Sequence, residues 1–284
     1  MATIQQLQQH IRDKIKAAYP EPEAGSIAQL VLEHVLQKNR VQLTLAQQEE
    51  VRPEQEAQVE LVVQRLAQQE PVQYVLGVAH FYGLELLVDQ RVLIPRPETE
   101  ELVDLVLREH RGQAGLRVLD ICAGSGCIPL ALAANQPNAD VYGLEVSEGA
   151  LQVARSNAAK YGLPVEWLQA DIFEPVQRVA AGSLDIITSN PPYVLEEEKE
   201  QMRKNVLQYE PHLALFVPNQ DPLRYYRRIT EVGLQLLKKG GILYFEINER
   251  YGKAVQEFML EAGFAEAQVV QDLFGKDRIV RAKR

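Results

Sequence analysis

The chain has 284 residues, 46% of them hydrophobic and 24% charged, which suits a globular enzyme with one large domain, a smaller one and a substantial core. No apolar run approaches the roughly 20 residues that span a bilayer. The start, Met1-Ala2-Thr3-Ile4-Gln5-Gln6, lacks the basic and apolar parts of a secretory signal, so the cytoplasm is the expected compartment. A net charge of −9, spread over both halves, argues against a grip on nucleic-acid phosphates and suits a basic protein partner drawn in at long range.

Up to about Gln69 the apolar residues recur at helical spacing: Ile4, Leu7, Ile11 and Ile15, then Ile27, Leu30, Val31 and Val35, then Val59, Val62, Val63 and Leu66 after Pro53. Ser26 is the expected N-cap of the second helix. Residues 1–71 thus read as a small helical bundle that docks a partner. The pattern then shortens to strands at Val72–Val75, Ala79–Tyr82 and Leu84–Val88, with Gly77 and Gly83 at the turns, so 72–94 reads as a β-hairpin linker. Pro95 and Pro97 lead into a helix over Glu98–His110, whose first-turn acids Glu98, Glu100 and Glu101 suit the positive end of the helix dipole.

After Gly115 strands and helices alternate. Strands are expected at Arg117–Cys122, Asp140–Glu145, Val165–Ala170, Leu184–Ser189 and Gly241–Ile247, with a final pair near Ala267–Val270 and Arg278–Val280. Helices are expected at Ile128–Asn135, Gly149–Tyr161 and Pro222–Leu237. The fold class is therefore α/β: a Rossmann-like, doubly wound, mainly parallel sheet over 95–284. Such sheets bind ligands beyond the carboxyl ends of their strands, where every motif below falls. The cysteines, Cys122 and Cys127, share one short loop and are expected to be reduced and partly buried. The histidines are scattered, so no metal is expected.

Four sites carry the chemistry. The loop Cys122-Ala123-Gly124-Ser125-Gly126 has two glycines that let the backbone pass close under a ligand, and Pro129 stands where a dinucleotide fingerprint needs glycine or alanine. Glu145, at the end of the second strand, is placed to accept from two ribose hydroxyls; a solvated carboxylate is the plain alternative. Asp171 could accept from an adenine amine with Ile172 and Phe173 lining the ring, or it could cap the next turn. Asn190-Pro191-Pro192-Tyr193 follows the fourth strand. Asn190 offers a carbonyl oxygen and the two prolines present a backbone carbonyl, so together they can accept both hydrogens of a planar NH2 group under the Tyr193 ring. Two runs of charge read as surface: Arg224-Tyr225-Tyr226-Arg227-Arg228 as a helix with its tyrosines inward, and Glu196–Glu200 as a solvated helix.

In this order the pieces resemble the class I S-adenosylmethionine-dependent methyltransferases, and Asn190–Tyr193 resembles their amino-methylating branch. Ile94-Pro95-Arg96-Pro97-Glu98-Thr99-Glu100, Gly124–Ile128, Ser189–Val194 and Glu210-Pro211 followed by Ala214-Leu215 resemble the PrmC/HemK family over most of the chain. The resemblance implies a seven-stranded sheet and methylation of the glutamine of the Gly-Gly-Gln motif in class 1 peptide chain release factors; a monomer is the default expectation, and composition and charge argue for no metal, membrane or direct nucleic-acid binding. It places S-adenosylmethionine, later S-adenosylhomocysteine, against Asp120, Cys122, Ala123, Gly124, Ser125, Gly126, Glu145, Asp171, Ile172 and Asn190. Catalysis falls to Asn190, Pro191, Pro192 and Tyr193. The chain departs from the family pattern at Cys122, Ile172 and Asn248, where glycine, an aromatic residue and glycine are more usual. Two other readings remain open: a nucleic-acid methyltransferase acting on an exocyclic amine of adenine or guanine, and an inactive binding module.

Overall fold

The computed structural model describes residues 1–284. In chain order the elements begin with α1 (Ile4–Ile15), α2 (Glu21–Leu36), α3 (Arg40–Leu45), α4 (Pro53–Ala67) and α5 (Val72–Leu76), followed by the hairpin β1 (Val78–Phe81) and β2 (Leu84–Leu87). Next come α6 (Pro97–Glu109), β3 (Arg117–Ile121), α7 (Cys127–Asn135), β4 (Asp140–Glu145), α8 (Glu148–Tyr161), β5 (Val165–Gln169) and β6 (Leu184–Ser189). The last stretch holds β7 (Val194–Leu195), α9 (Lys204–Tyr209), β8 (Phe216–Val217), α10 (Arg224–Leu236), β9 (Leu237–Glu246), α11 (Gly252–Ala262), β10 (Glu266–Gln271) and β11 (Asp277–Lys283).

The chain divides into two compact units, one of residues 1–78 with 203–209 and one of 79–202 with 210–284. In the first, the three apolar stripes read from the sequence meet, with Ile11, Ile15, Val31, Val59 and Leu66 all buried, except that Leu30 faces outward and is exposed. Thr3 caps α1 in a reciprocal box with Gln6. The second helix starts five residues before Ser26, because Pro22 presets the first-turn φ. Ser26 therefore lies inside the helix, where its hydroxyl donates back to the Pro22 carbonyl at 3.1 Å. Later in the chain, Arg203 pairs with Glu23 at 3.0 Å and the Tyr209 hydroxyl donates to the Gln68 carbonyl at 3.0 Å.

Val72–Val75 is not a strand. It forms the short helix α5, opened by Pro71 and closed by Gly77 at φ +75°. The hairpin itself stands, turning through Tyr82 and Gly83, both at positive φ (46° and 79°), which gives it the mirror-image turn that matches strand twist. Within the larger unit, Asn157 of α8 pins β2, accepting from the Leu87 amide at 2.6 Å and donating to its carbonyl at 3.0 Å.

The seven-stranded sheet runs β10-β11-β9-β6-β3-β4-β5. β3, β4, β5, β6 and β9 are parallel, and β11 alone opposes its neighbours. Alternate residues fill the two faces: Leu243, Phe245 and Ile247 enter one core, Ile242 and Tyr244 the other. α10 lies along this sheet, while α11 was not evident in the sequence; its Val255 and Met259 are fully buried. The strand order reverses between β3 and β6, so their carboxyl ends part to leave a crevice. Side chains stitch the two strands there: Thr188 Oγ1 donates to Asp120 Oδ1 and Ser189 Oγ to the Ile121 carbonyl, each at 2.7 Å. No helix is long and apolar enough to cross a membrane.

Candidate active site

A cavity of about 240 Å³ opens at this reversal. Its floor is Cys122, Gly124 and Glu145, one flank is Ala170 to Phe173, and Asn190 and Pro192 form the far edge. Each strand delivers its motif residue at its end or within the next three residues, so the topology alone gathers them.

Glu145 is held by its own loops: Oε1 accepts from the Ser147 amide at 2.9 Å and Oε2 from the Gly124 amide at 3.0 Å. Each carboxylate oxygen keeps lone pairs for further donors. Gly124 sits at φ +53°, and a methyl there would meet nothing within 4 Å, so the backbone is bare toward the cavity. Gly126, at φ +81°, has the opposite surroundings. A Cβ on it would lie 2.7 Å from the Trp167 ring. Gly126→Ala is therefore expected to cost roughly 2–5 kcal/mol, from left-handed strain plus overpacking, read as lost free energy of urea unfolding. Gly124→Ala should cost only the strain, about 1–2 kcal/mol. Equal losses would mean that Trp167 does not crowd the loop.

Asp171 takes the turn role: its Oδ1 accepts from the Phe173 amide at 2.9 Å while the residue lines the cavity. Ile172 is buried in the sheet core and also reaches the cavity. Arg224 stacks on Phe173 with its guanidinium 4.5 Å from the ring centre, and Arg228 donates to the Ile172 carbonyl at 2.8 Å. The Arg224–Arg228 run thus fixes the loop after β5, with Tyr226 wholly buried and Tyr225 on the cavity wall. The carboxylates of Glu145 and Asp171, apolar walls and a bare glycine backbone fit an adenosine.

Asp120 near the end of β3 and the loop residues Ala123, Ser125 and Gly126 are buried and do not line the cavity. Asp120 is fully buried with Oδ2 unpartnered, and burial pushes its carboxyl up to about 8. The reduced Cys122 is one of four non-glycine residues at positive φ (66°) and lines the cavity; burial holds its thiol well above the usual range. The Glu196–Gln201 run is a 3-10 helix, tied down by Glu198, which accepts from the Leu195 amide at 3.0 Å and pairs with Arg250 at 3.0 Å.

The Asn190–Tyr193 holder rests on two residues that its own sequence does not reveal. The Asn190 amide nitrogen donates to Thr99 Oγ1 at 3.2 Å, and Thr99 Oγ1 donates to Glu246 Oε2 at 2.6 Å. The Tyr193 hydroxyl donates to Glu246 Oε1 at 3.1 Å. Pro191 is buried and, like the Tyr193 ring, lies off the cavity lining, whereas Pro192 is on it. Thr99 belongs to the Pro95–Glu100 motif, and Glu246 ends β9; their adjacency was invisible to spacing. Arg96 of the same motif bonds Glu210 at 2.6 Å and so carries the cavity wall of Pro211, Leu213 and Ala214.

Sheet order, crevice and holder define a Rossmann-like methyltransferase domain. A family model described as methyltransferase small domain matches residues 99–211, and one described as PrmC N-terminal domain matches residues 6–77. A release factor glutamine methyltransferase of Bacteroides thetaiotaomicron is 42% identical over 97% of this chain and 98% of its own. One of Streptococcus pneumoniae is 45% identical over 83% of each. The chain belongs to the release factor glutamine methyltransferase family. Among solved structures, a human methyltransferase 10 domain containing protein shares the fold at TM-score 0.53 and 18% identity, covering 71% of this chain and 90% of that one.

Proposed function

We propose that this enzyme transfers a methyl group from S-adenosylmethionine to the side-chain amide nitrogen of the glutamine in the Gly-Gly-Gln motif of class 1 peptide chain release factors, in the cytoplasm. The observation that carries the reading is the orientation of Asn190. Its NH2 is spent on Thr99, and its oxygen, which makes no hydrogen bond inside the protein, is left for a donor at the cavity edge. The curated relatives bear the name of that activity.

When bound, the cofactor supplies a methyl on a positively charged sulfur, which keeps the bonding electron pair and leaves as S-adenosylhomocysteine. The chain's own part is to hold and align. Glu145 would take the ribose hydroxyls, Asp171 the adenine amine, and Ile172 with Phe173 the adenine face. An amide nitrogen is a poor nucleophile because its lone pair is delocalised into the carbonyl. Asn190 Oδ1 and the Pro191 carbonyl would accept its two hydrogens, fix its direction and favour the positive charge that develops there. The cationic nitrogen gives its proton to water after transfer, so no strong base is required, and the acceleration comes chiefly from proximity. A net charge of −9 suits a basic factor.

The test is mass spectrometry of the Gly-Gly-Gln peptide after a release factor is incubated with enzyme and S-adenosylmethionine, with bulk RNA and DNA as parallel acceptors. One added methyl on that glutamine is expected. Label in nucleic acid with none on the protein would move the activity to base amines and leave the fold standing.

A further inference from the structure

Glu246 is 1% exposed and has no ion-pair partner; Arg278, the nearest guanidinium to act on it, bonds Asp272 instead. A lone buried carboxylate costs stability that a leucine in its place would not. Its only side-chain hydrogen bonds come from the hydroxyls of Thr99 and Tyr193, both of them tied to the substrate-facing motif.

With Glu246 ionised, the polarity of this relay is fixed. A carboxylate only accepts, so both hydroxyls must donate to it. Thr99 has then used its hydrogen and can only accept from Asn190, which must turn its NH2 inward and its oxygen outward. We propose that Glu246 is the positioning residue of the amide holder: its charge, relayed through Thr99, faces the Asn190 oxygen to the substrate NH2 and at the same time anchors Tyr193. The inference rests on the function proposed above.

A neutral group at position 246 would have a donor to place. Given to Thr99, it frees the Thr99 hydrogen for Asn190, whose amide then turns over and sets NH2 against the substrate NH2. Given to Tyr193, it displaces that phenol. Burial raises the Glu246 carboxyl above its usual range, opposed by the two hydroxyls and by Arg278 from β11 and reinforced by Glu98 from α6. Tyr226 of α10 and Cys127 of α7 also face it, both neutral because burial raises them. Protonation thus sets in at higher pH than for an exposed glutamate, and turnover is lost as pH falls through that raised value.

The test compares wild type with Glu246→Gln, Thr99→Val and Thr99→Ser in steady-state kinetics on the intact release factor across pH. S-adenosylmethionine affinity is measured in parallel by calorimetry. The Gln and Val variants are expected to lose about 10- to 100-fold in kcat with cofactor affinity unchanged, since an oriented acceptor acts mainly in the transition state. Thr99→Ser keeps the relay and should keep kcat. The acid limb of wild type should vanish in Glu246→Gln. Wild-type kcat in Glu246→Gln, an unaltered acid limb, or cofactor affinity falling in step with kcat would each overturn the inference. Should Glu246→Gln fail to fold, the Thr99 pair decides, because Val and Ser leave the carboxylate in place and only Val cuts the relay. A wild-type enzyme that leaves the glutamine unmethylated overturns the function itself, which separates that failure from this one.

Discussion

Asn190→Ala is expected to lower kcat for glutamine methylation about 100- to 1,000-fold, the size of effect seen when one preorganised polar contact to developing charge is removed. Cofactor affinity, measured by calorimetry, should stay close to wild type. Asn190 does reach the cavity edge, but the groups proposed to hold the cofactor are elsewhere: Glu145 on its two amides, Gly124 with its bare backbone, and the Ile172–Phe173 wall. Alanine leaves Thr99 and Glu246 bonded to each other, so the fold has no reason to move. Equal losses in kcat and in cofactor affinity would sink the division of labour between Asn190 and Glu145.

A large loss of stability is expected at Arg96. Its guanidinium meets Glu210 at 2.6 Å, and the Glu210 side chain is 1% exposed, its second oxygen accepting from the Ile94 amide at 3.2 Å. Arg96→Met leaves that carboxylate buried with one amide for company. Removing one partner of a buried pair costs about 3–5 kcal/mol, and the lower end applies here because Arg96 is itself 32% exposed. Urea unfolding measures the loss, and adding Glu210→Gln should recover part of it. A fall of less than about 1 kcal/mol would show the pair behaving like an ordinary surface salt bridge.

Much of the site could be read locally because a parallel sheet places its working residues at strand ends. Gly124, Glu145, Asp171 and Asn190 each directly follow or end an apolar run, and the topology needs no further instruction to bring them together. The relay behind Asn190 was hidden for the same reason that it works: Thr99 and Glu246 lie 147 residues apart, and their contact exists only once β9 is laid beside β6. Pro95–Glu100 and Glu210-Pro211 could be named as motifs, yet that Arg96 of one and Glu210 of the other form a single ion pair could not. The Val72–Val75 error has a local cause. Val72 and Tyr74 at alternating positions, with Val75 beside them, suggest a strand, but Pro71 before them and a left-handed Gly77 after them are helix punctuation, and in a segment this short the ends decide. Ser26 misled in the same way, since a proline four residues earlier starts a helix as well as a hydroxyl does.

The chain passes between its two units three times, after Val78, Met202 and Tyr209, because Arg203–Tyr209 folds with the helical unit rather than with its sequence neighbours. The helical unit is therefore not a cassette. A chimera built by exchanging residues 1–78 alone would ask the host's α9 to seat itself on a foreign bundle, without the Glu23 and Gln68 partners it now uses. Evolution can swap such a unit intact only by changing two distant stretches of the gene together.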